Sequence, residues 1–368
     1  MSAWRAFAEP TLDGYQVEWE EEGELLVSRR NQLYRTDSTG GSPTPIGLFP
    51  ASRWRSEASR LRPAQRLLRF LYYNVQKLPD GRLFASFDKS VGVSRGDGGF
   101  EPIRGLARPC RILRSGCALA RDGNVYFGEY IQNPDHREAI HLYRYRPDRD
   151  RLEIAQRFPP GYVRHVHGIH ADPYTGDLWC VSGDLEAECR MLRSKDGFET
   201  FDVVGEGDES WRCVSVVFTE RAIYYATDSE FERNRIYRLD RADGERRAVG
   251  EIDGPVYVGK AVGEDVFFCV TAELCPSQIG RSATVWHVDG KDDLSRCASF
   301  EKDSLPLGYF MVGTLHLARG PGFSDRFYMH GVALRGADQR TFVVRREGSE
   351  RVTGGDRRSG TARIAADS

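Results

Sequence analysis

Short β-rich runs recur along this chain about every 40 to 50 residues, each launched by a Gly or Asp turn, and no other feature constrains the fold as strongly. They are ELLVSRR from Glu24, RLFASFD from Arg82, NVYFGEY from Asn124, DLWCVSGD from Asp177, AIYYATD from Ala222, DVFFCVTAE from Asp265 and RFYMHGV from Arg326. Each is preceded by another strand-like segment and a turn. Most are followed by a third and a fourth, as in HLYRYRPDRD and RLEIAQRF after the Asn124 run. Asp and Gly in the turns supply the local hydrogen bonds and positive φ that tight hairpins need. Four antiparallel strands repeated seven times without a long helix predict an all-β fold, a seven-bladed β-propeller of four-stranded antiparallel blades. The expected domain covers residues 1–347, with a helical insertion near 52–70 (SRWRSEASRLRPAQRLLRF) and a tail over 348–368 too polar and aperiodic to order itself. The last unit lacks a good fourth strand, so the N-terminal YQVEW is expected to complete it and hide the last sheet edges.

The 368 residues carry 52 Lys plus Arg against 54 Asp plus Glu. This balance gives no global field to recruit nucleic acid or an anionic membrane. MSAWRAFAEPTLDGYQVEWEEEGE has neither a basic n-region nor an apolar h-region, and no later run reaches membrane-spanning length, so a cytoplasmic location is expected. The eight cysteines form no CxxC pair and most sit in strand-like runs, where a reduced thiol packs as a small hydrophobe. No GxGxxG or P-loop is present, which excludes the familiar nucleotide sites.

At SKDGFETF, Ser194, Asp196, Thr200 and Phe201 resemble the Asp-box of sialidase-like (BNR repeat) propellers, although Gly197 falls one position early. RHVHGIHADPYTGDLWCVSGD, together with the GEY of Gly128 to Tyr130, also resembles an intracellular BNR-type group associated with polysaccharide metabolism. The resemblance implies a propeller with its Asp-box as an outer structural turn and a carbohydrate-related role. The three converging arginines and tyrosine nucleophile of a sialidase cannot be picked out, so that mechanism is not carried over.

In a propeller the second strand of one blade ends on the face where the inner strand of the next begins. That rule gathers Asp88, Glu129, Asp184, Asp228 and Glu273 from five strand ends with Arg164, His165, His167, Trp211 and Arg212 from two strand starts. Alternation along His165-Val166-His167 points both imidazoles to one side, where they could share a divalent metal with Glu129 or Asp184. Propeller oligogalacturonate lyases are similar in using histidines around a divalent metal. The same rings could equally be metal-free and bonded to the carboxylates. Among the carboxylates, Glu129, Asp184 and Asp228 are candidates for a general acid with a base or nucleophile. Asp88 and Glu273 are candidates for ligand contacts, or for turn caps. Arg164 and Arg212 suit an anion. Tyr162 and Trp211 offer a flat surface for a sugar ring or else pack as core, Tyr130 beside Glu129 is a candidate ligand contact, and His170 reads as packing.

The residues therefore predict binding, and hydrolysis or elimination, of an acidic sugar or oligosaccharide at a central pocket. A non-catalytic glycan- or protein-binding scaffold is the competing reading, and an acidic ring holding Ca²⁺ for stability is a third.

Overall fold

The computed structural model describes residues 3–37 and 41–348, so the expected tail, Gly348 apart, lies outside the described residues. Each of the seven runs is the second strand of a four-stranded antiparallel sheet, and seven such sheets form a ring. Blades 1 to 6 span 16–48, 72–102, 117–158, 166–206, 213–251 and 256–301; blade 7 takes its first three strands from 314–346. Second strands such as Leu178–Ser182 and Ala222–Thr227 are buried along their whole length, because each face packs on a neighbouring blade. A strand covered on both faces reads as an unbroken apolar run.

The core is accordingly divided into seven apolar clusters, one between each pair of adjacent blades. Between blades 4 and 5, for example, Trp179, Val181 and Met191 face Cys213, Val216 and Tyr225. All eight cysteines are free, six of them buried.

The ring closes with a different strand from the one expected. Gln16–Glu21 pairs with Glu24–Arg29 across a two-residue turn at Glu22-Gly23, which makes the YQVEW segment the inner strand of blade 1. The closing strand is Trp4–Ala8, which pairs antiparallel with Thr341–Arg346 from Ala8↔Phe342 to Trp4↔Arg346. Trp4 anchors it, its ring meeting Phe267 edge-on at 4.9 Å in the apolar cluster between blades 6 and 7.

The turn at Ser194 to Phe201 joins the third and outer strands of blade 4. Ser194 accepts from the Phe198 amide at 2.8 Å, and Asp196 accepts from the Thr200 amide at 2.9 Å and its hydroxyl at 2.6 Å.

Residues 52–70 form two short helices, α1 (Arg53–Ala58) and α2 (Arg62–Leu67), between blades 1 and 2. Arg55 pairs with Asp88 of blade 2 at 2.7 Å. Arg62 grips Asp338 of blade 7 through two bonds of 2.9 and 2.5 Å, and Arg66 pairs with Asp303 on the approach to blade 7. The insertion thus ties blades 7, 1 and 2 together. None of the helices among the described residues is long and apolar enough to cross a membrane.

Candidate active site

The inner strand of blade 4, Val166–Ala171, begins at the mouth, and its register with Leu178–Ser182 skips His167. Such a bulge turns the unpaired residue out of the ladder. It is this bulge, not plain alternation, that aims His167 at the ring His165 already faces. The inner strands of blades 1, 2 and 6 skip Glu18, Tyr73 and Tyr257 at the same place. Two glycines allow the close approach. A Cβ on Gly128 would lie 2.3 Å from Val166, and one on Gly183, at φ +126°, would lie 2.6 Å from Cys189. Gly128 therefore admits the histidine strand, and Gly183 folds Asp184 back over the mouth.

The His165 and His167 Nε2 atoms stand 3.1 Å apart, and each is 3.3 Å from a different oxygen of Asp184. Both Nδ1 atoms face backbone carbonyls, at 3.0 Å from Ile131 and 2.9 Å from Cys213. A carbonyl only accepts, so both Nδ1 atoms carry the proton and both Nε2 atoms turn a lone pair inward. Burial pushes the His167 pKa down against the opposing pull of Asp184, which keeps that ring neutral. Two facing lone pairs beside a carboxylate demand a cation between them: a metal ion, or an extra proton on one ring. Two imidazole nitrogens and a carboxylate oxygen, all within 4.8 Å of one another, fit a divalent ion with open positions. Burial works to raise the Asp184 carboxyl, but hydrogen bonding and positive charge at the two imidazoles, which a cation shared between them supplies, outweigh it and hold the group well below the usual carboxylate range. Arg164 at 2.9 Å and Arg212 at 3.4 Å fix its orientation.

A second cluster adjoins the first through Arg212, which also lies 3.6 Å from Glu230. Asp228 is buried next to Glu273 on the neighbouring blade. Burial and the Glu273 charge push Asp228 well above the ordinary carboxyl range. Burial raises Glu273 too, although bonds from Tyr257 and Thr271 pull it back. Both carboxyls are therefore harder to ionise than ordinary carboxylates, and they titrate as a pair. Tyr130 lies over His165 with ring centroids 4.2 Å apart, and burial plus the nearby acids push its hydroxyl up to about 12.

The mouth therefore brings together Tyr130, Arg164, His165, His167, Asp184, Arg212, Asp228 and Glu273. Three expected members stand elsewhere. Glu129 is fully buried, accepting from the His141 amide at 2.9 Å and the Tyr143 hydroxyl at 2.8 Å, and it meets Arg108 at 3.3 Å; it ties strands together and cannot reach the histidines. Asp88 is held by Arg55 of α1. Trp211 stacks on Tyr225 at 5.8 Å under Arg246, which turns it into blade 5. The five carboxylates consequently form no ring. His170 bonds the Val214 carbonyl at 3.0 Å as a packing residue, and Tyr162 stacks on Phe158 at 5.5 Å. Tyr257 and Glu230 carry no signal in the sequence: Tyr257 sits at a bulge, which leaves the strand pattern intact, and Glu230 lies in the loop between Thr227 and Arg235.

No family model matches the chain, and no curated protein matches its sequence. Solved structures do match, and they place the chain in a class of seven-bladed propellers whose members include enzymes. One is virginiamycin B lyase from Staphylococcus aureus, with a TM-score of 0.59, 10% identity and coverage of 94% of this chain and 99% of that one. Another is an oligogalacturonate lyase in complex with manganese, with a TM-score of 0.60, 10% identity and coverage of 94% and 91%. A puromycin hydrolase matches with a TM-score of 0.53 and 14% identity over 86% of this chain and 53% of that one. At these identities the likeness is one of fold.

Proposed function

We propose that this protein is a metal-dependent propeller enzyme that cleaves an acidic oligosaccharide by elimination at the mouth of the ring. The observation that carries the reading is the pair of inward Nε2 lone pairs, 3.1 Å apart and facing Asp184. His165, His167 and Asp184 would hold the ion, which when bound would neutralise a substrate carboxylate and acidify the adjacent C–H. Arg164 and Arg212 keep Asp184 in place and favour an anionic ligand. In the elimination a base takes the proton beside the carboxylate, the C–H electrons form the new C=C bond, the C–O bond breaks, and the leaving oxygen is protonated. The Asp228–Glu273 pair supplies both roles, one carboxyl ionised and the other protonated. The lyases and hydrolase among the structural neighbours are consistent with a catalytic propeller.

A ligand-binding propeller without turnover is the second reading. Phe231, Ile279 and Tyr309 favour it, since all three are exposed on loops of the same face. The test is elemental mass spectrometry of wild type and the His165→Ala, His167→Ala double variant, paired with ultraviolet detection of unsaturated ends from acidic oligosaccharides. Metal and turnover lost together support the enzyme. Binding without turnover in metal-loaded wild type overturns it.

A further inference from the structure

A recess of ≈ 350 Å³, its opening included, lies between blade 1, blade 7 and α2. Its wall carries three arginines, Arg29, Arg30 and Arg62, and no carboxylate. Arg62 is committed to Asp338 and Gln65. Arg29 and Arg30 have no ion pair among the described residues: Arg29 lies 5.8 Å from the Tyr15 ring centroid, and Arg30 donates to the Ser56 carbonyl at 3.4 Å. Arg29 pairs with Gln32, so Arg30 opens a two-residue turn, and it does so at φ +58°, where Gly or Asn would sit at lower cost. Turn formation therefore does not account for an arginine at this position, whereas a ligand charge does.

The amide groups on the wall are already in use. Gln16 donates to Glu18 and accepts from His316 at 2.7 Å, and the Gln65 oxygen accepts from Arg62 at 2.9 Å and from Gln339 at 3.2 Å. His330, which also lines the recess and is only 4% exposed, differs. Its Nδ1 stands 2.9 Å from the Thr341 hydroxyl oxygen, and that hydroxyl donates its one proton to the Tyr15 carbonyl at 2.8 Å. Thr341 can then only accept from the ring, so Nδ1 carries the proton and Nε2 keeps a lone pair. Burial and the Arg62 charge keep the ring neutral, and Nε2 has no hydrogen-bond partner among the described residues.

The recess thus combines guanidinium donors with one buried lone pair. A fully deprotonated anion would set its own oxygen against that lone pair. An anion that keeps an O–H satisfies both. The closed part is narrow, ≈ 20 Å³, room for one hydroxyl-sized group, and the rest opens to solvent beside the exposed Arg29.

We propose that this recess binds a phosphate group, free or as a monoester, with a P–OH donating to His330 Nε2 and the charged oxygens on Arg29 and Arg30. It shares no residue with the site at His165, His167 and Asp184 and does not depend on the function proposed there.

The experiment is calorimetric titration at pH 6 with inorganic phosphate, glucose 6-phosphate, sulfate and acetate. Phosphate is expected to bind at least about tenfold more tightly than sulfate or acetate, because it alone brings a proton to the lone pair. Sulfate or acetate binding as tightly as phosphate overturns the proposal, as does a wild type that binds no phosphate. Tighter binding of the ester supports a phosphomonoester as the ligand, and tighter binding of the free ion supports phosphate itself. Arg30→Gly suits the positive φ and so keeps the turn; combined with Arg29→Ala it should weaken phosphate about a hundredfold, and an unchanged affinity overturns the proposal. His330→Phe should remove the preference over sulfate. Should that variant not fold, nitrogen NMR of wild type decides: the His330 Nε2 resonance moves with phosphate and not with sulfate, and a resonance indifferent to phosphate overturns the proposal. Phosphate affinity should be unchanged in His165→Ala, His167→Ala; its loss there would place the anion at the histidine pair and overturn the second site.

Discussion

His165 and His167 face each other through unprotonated Nε2 atoms 3.1 Å apart, because the Ile131 and Cys213 carbonyls have claimed both Nδ1 protons. Among the described residues nothing supplies a donor between them, so their cation comes from outside the backbone network. Wild type is expected to carry about one divalent ion per chain, and the double alanine variant to carry none. Removing the ion with a chelator should lower the melting temperature by about 5 °C, since an ion at a hundred times its Kd contributes ~2.7 kcal/mol to the folded state. Metal-free wild type with one imidazolium in its nitrogen NMR spectrum would instead identify a proton as the bridge.

Trp4 closes the ring from the far end of the chain. Its ring sits against Phe267 at 4.9 Å and Phe327 at 6.5 Å, with the Arg346 guanidinium 5.3 Å from its centroid. Trp4→Ala should cost ~3–5 kcal/mol and uncouple Trp4–Ala8 from blade 7. Hydrogen exchange would show it directly, through lost protection at Phe342, Val343 and Val344. Unchanged protection there would mean that the strand is held by its backbone ladder alone.

The second strands were legible because each is buried on both faces and reads as apolar without interruption. Closure was not, since Trp4–Ala8 pairs with residues more than 300 positions away and nothing local marks the partner. At the mouth, repeat equivalence correctly grouped Asp184, Asp228 and Glu273 with the histidines. It failed for Glu129, which occupies the same strand end but is claimed by His141, Tyr143 and Arg108. Side-chain direction after a strand depends on which neighbours can bond it, and repeat position alone does not carry that information. The bulges at Tyr73, His167 and Tyr257 were hidden for a related reason, since an extra residue in the ladder leaves the hydrophobic pattern intact.

Acid should unfold this protein steeply. Burial and the Arg319 charge push His170 down to about 4, and burial and the Arg62 charge push His330 down to about 3. Unfolded, both titrate near 6.5, so the unfolded chain binds more protons. The stability gained by keeping each ring neutral is complete above that pH and is lost as pH falls toward the folded values, at ~1.4 kcal/mol per pH unit per ring. Urea midpoints between pH 7.5 and 4.5 would trace the slope. His170→Gln, which can still donate to the Val214 carbonyl, should remove one ring's share; an unaltered slope would show that His170 titrates alike in the folded and unfolded chain.

Asp228 carries the sharpest conflict between stability and function. Its carboxyl is buried against Glu273 and driven upward by burial and by that charge. A group raised in this way destabilises the fold once pH exceeds its unfolded pKa near 3.9, and it is harmless below it. Asp228→Asn should therefore stabilise the protein by ~2 kcal/mol at pH 7, with the gain disappearing near pH 4, where the wild-type carboxyl is neutral as well. Glu273→Gln should give a similar gain, and the double variant less than their sum, because either change alone relieves the repulsion. Turnover should fall about a hundredfold or more in Asp228→Asn, since the amide can neither deliver nor accept the proton. Denaturation at the two pH values distinguishes this from a simple ion pair. If Asn at 228 weakens the fold at pH 7, Asp228 is ionised and held by Arg212, and the proton needed at the leaving oxygen must come from Glu273 or Tyr130.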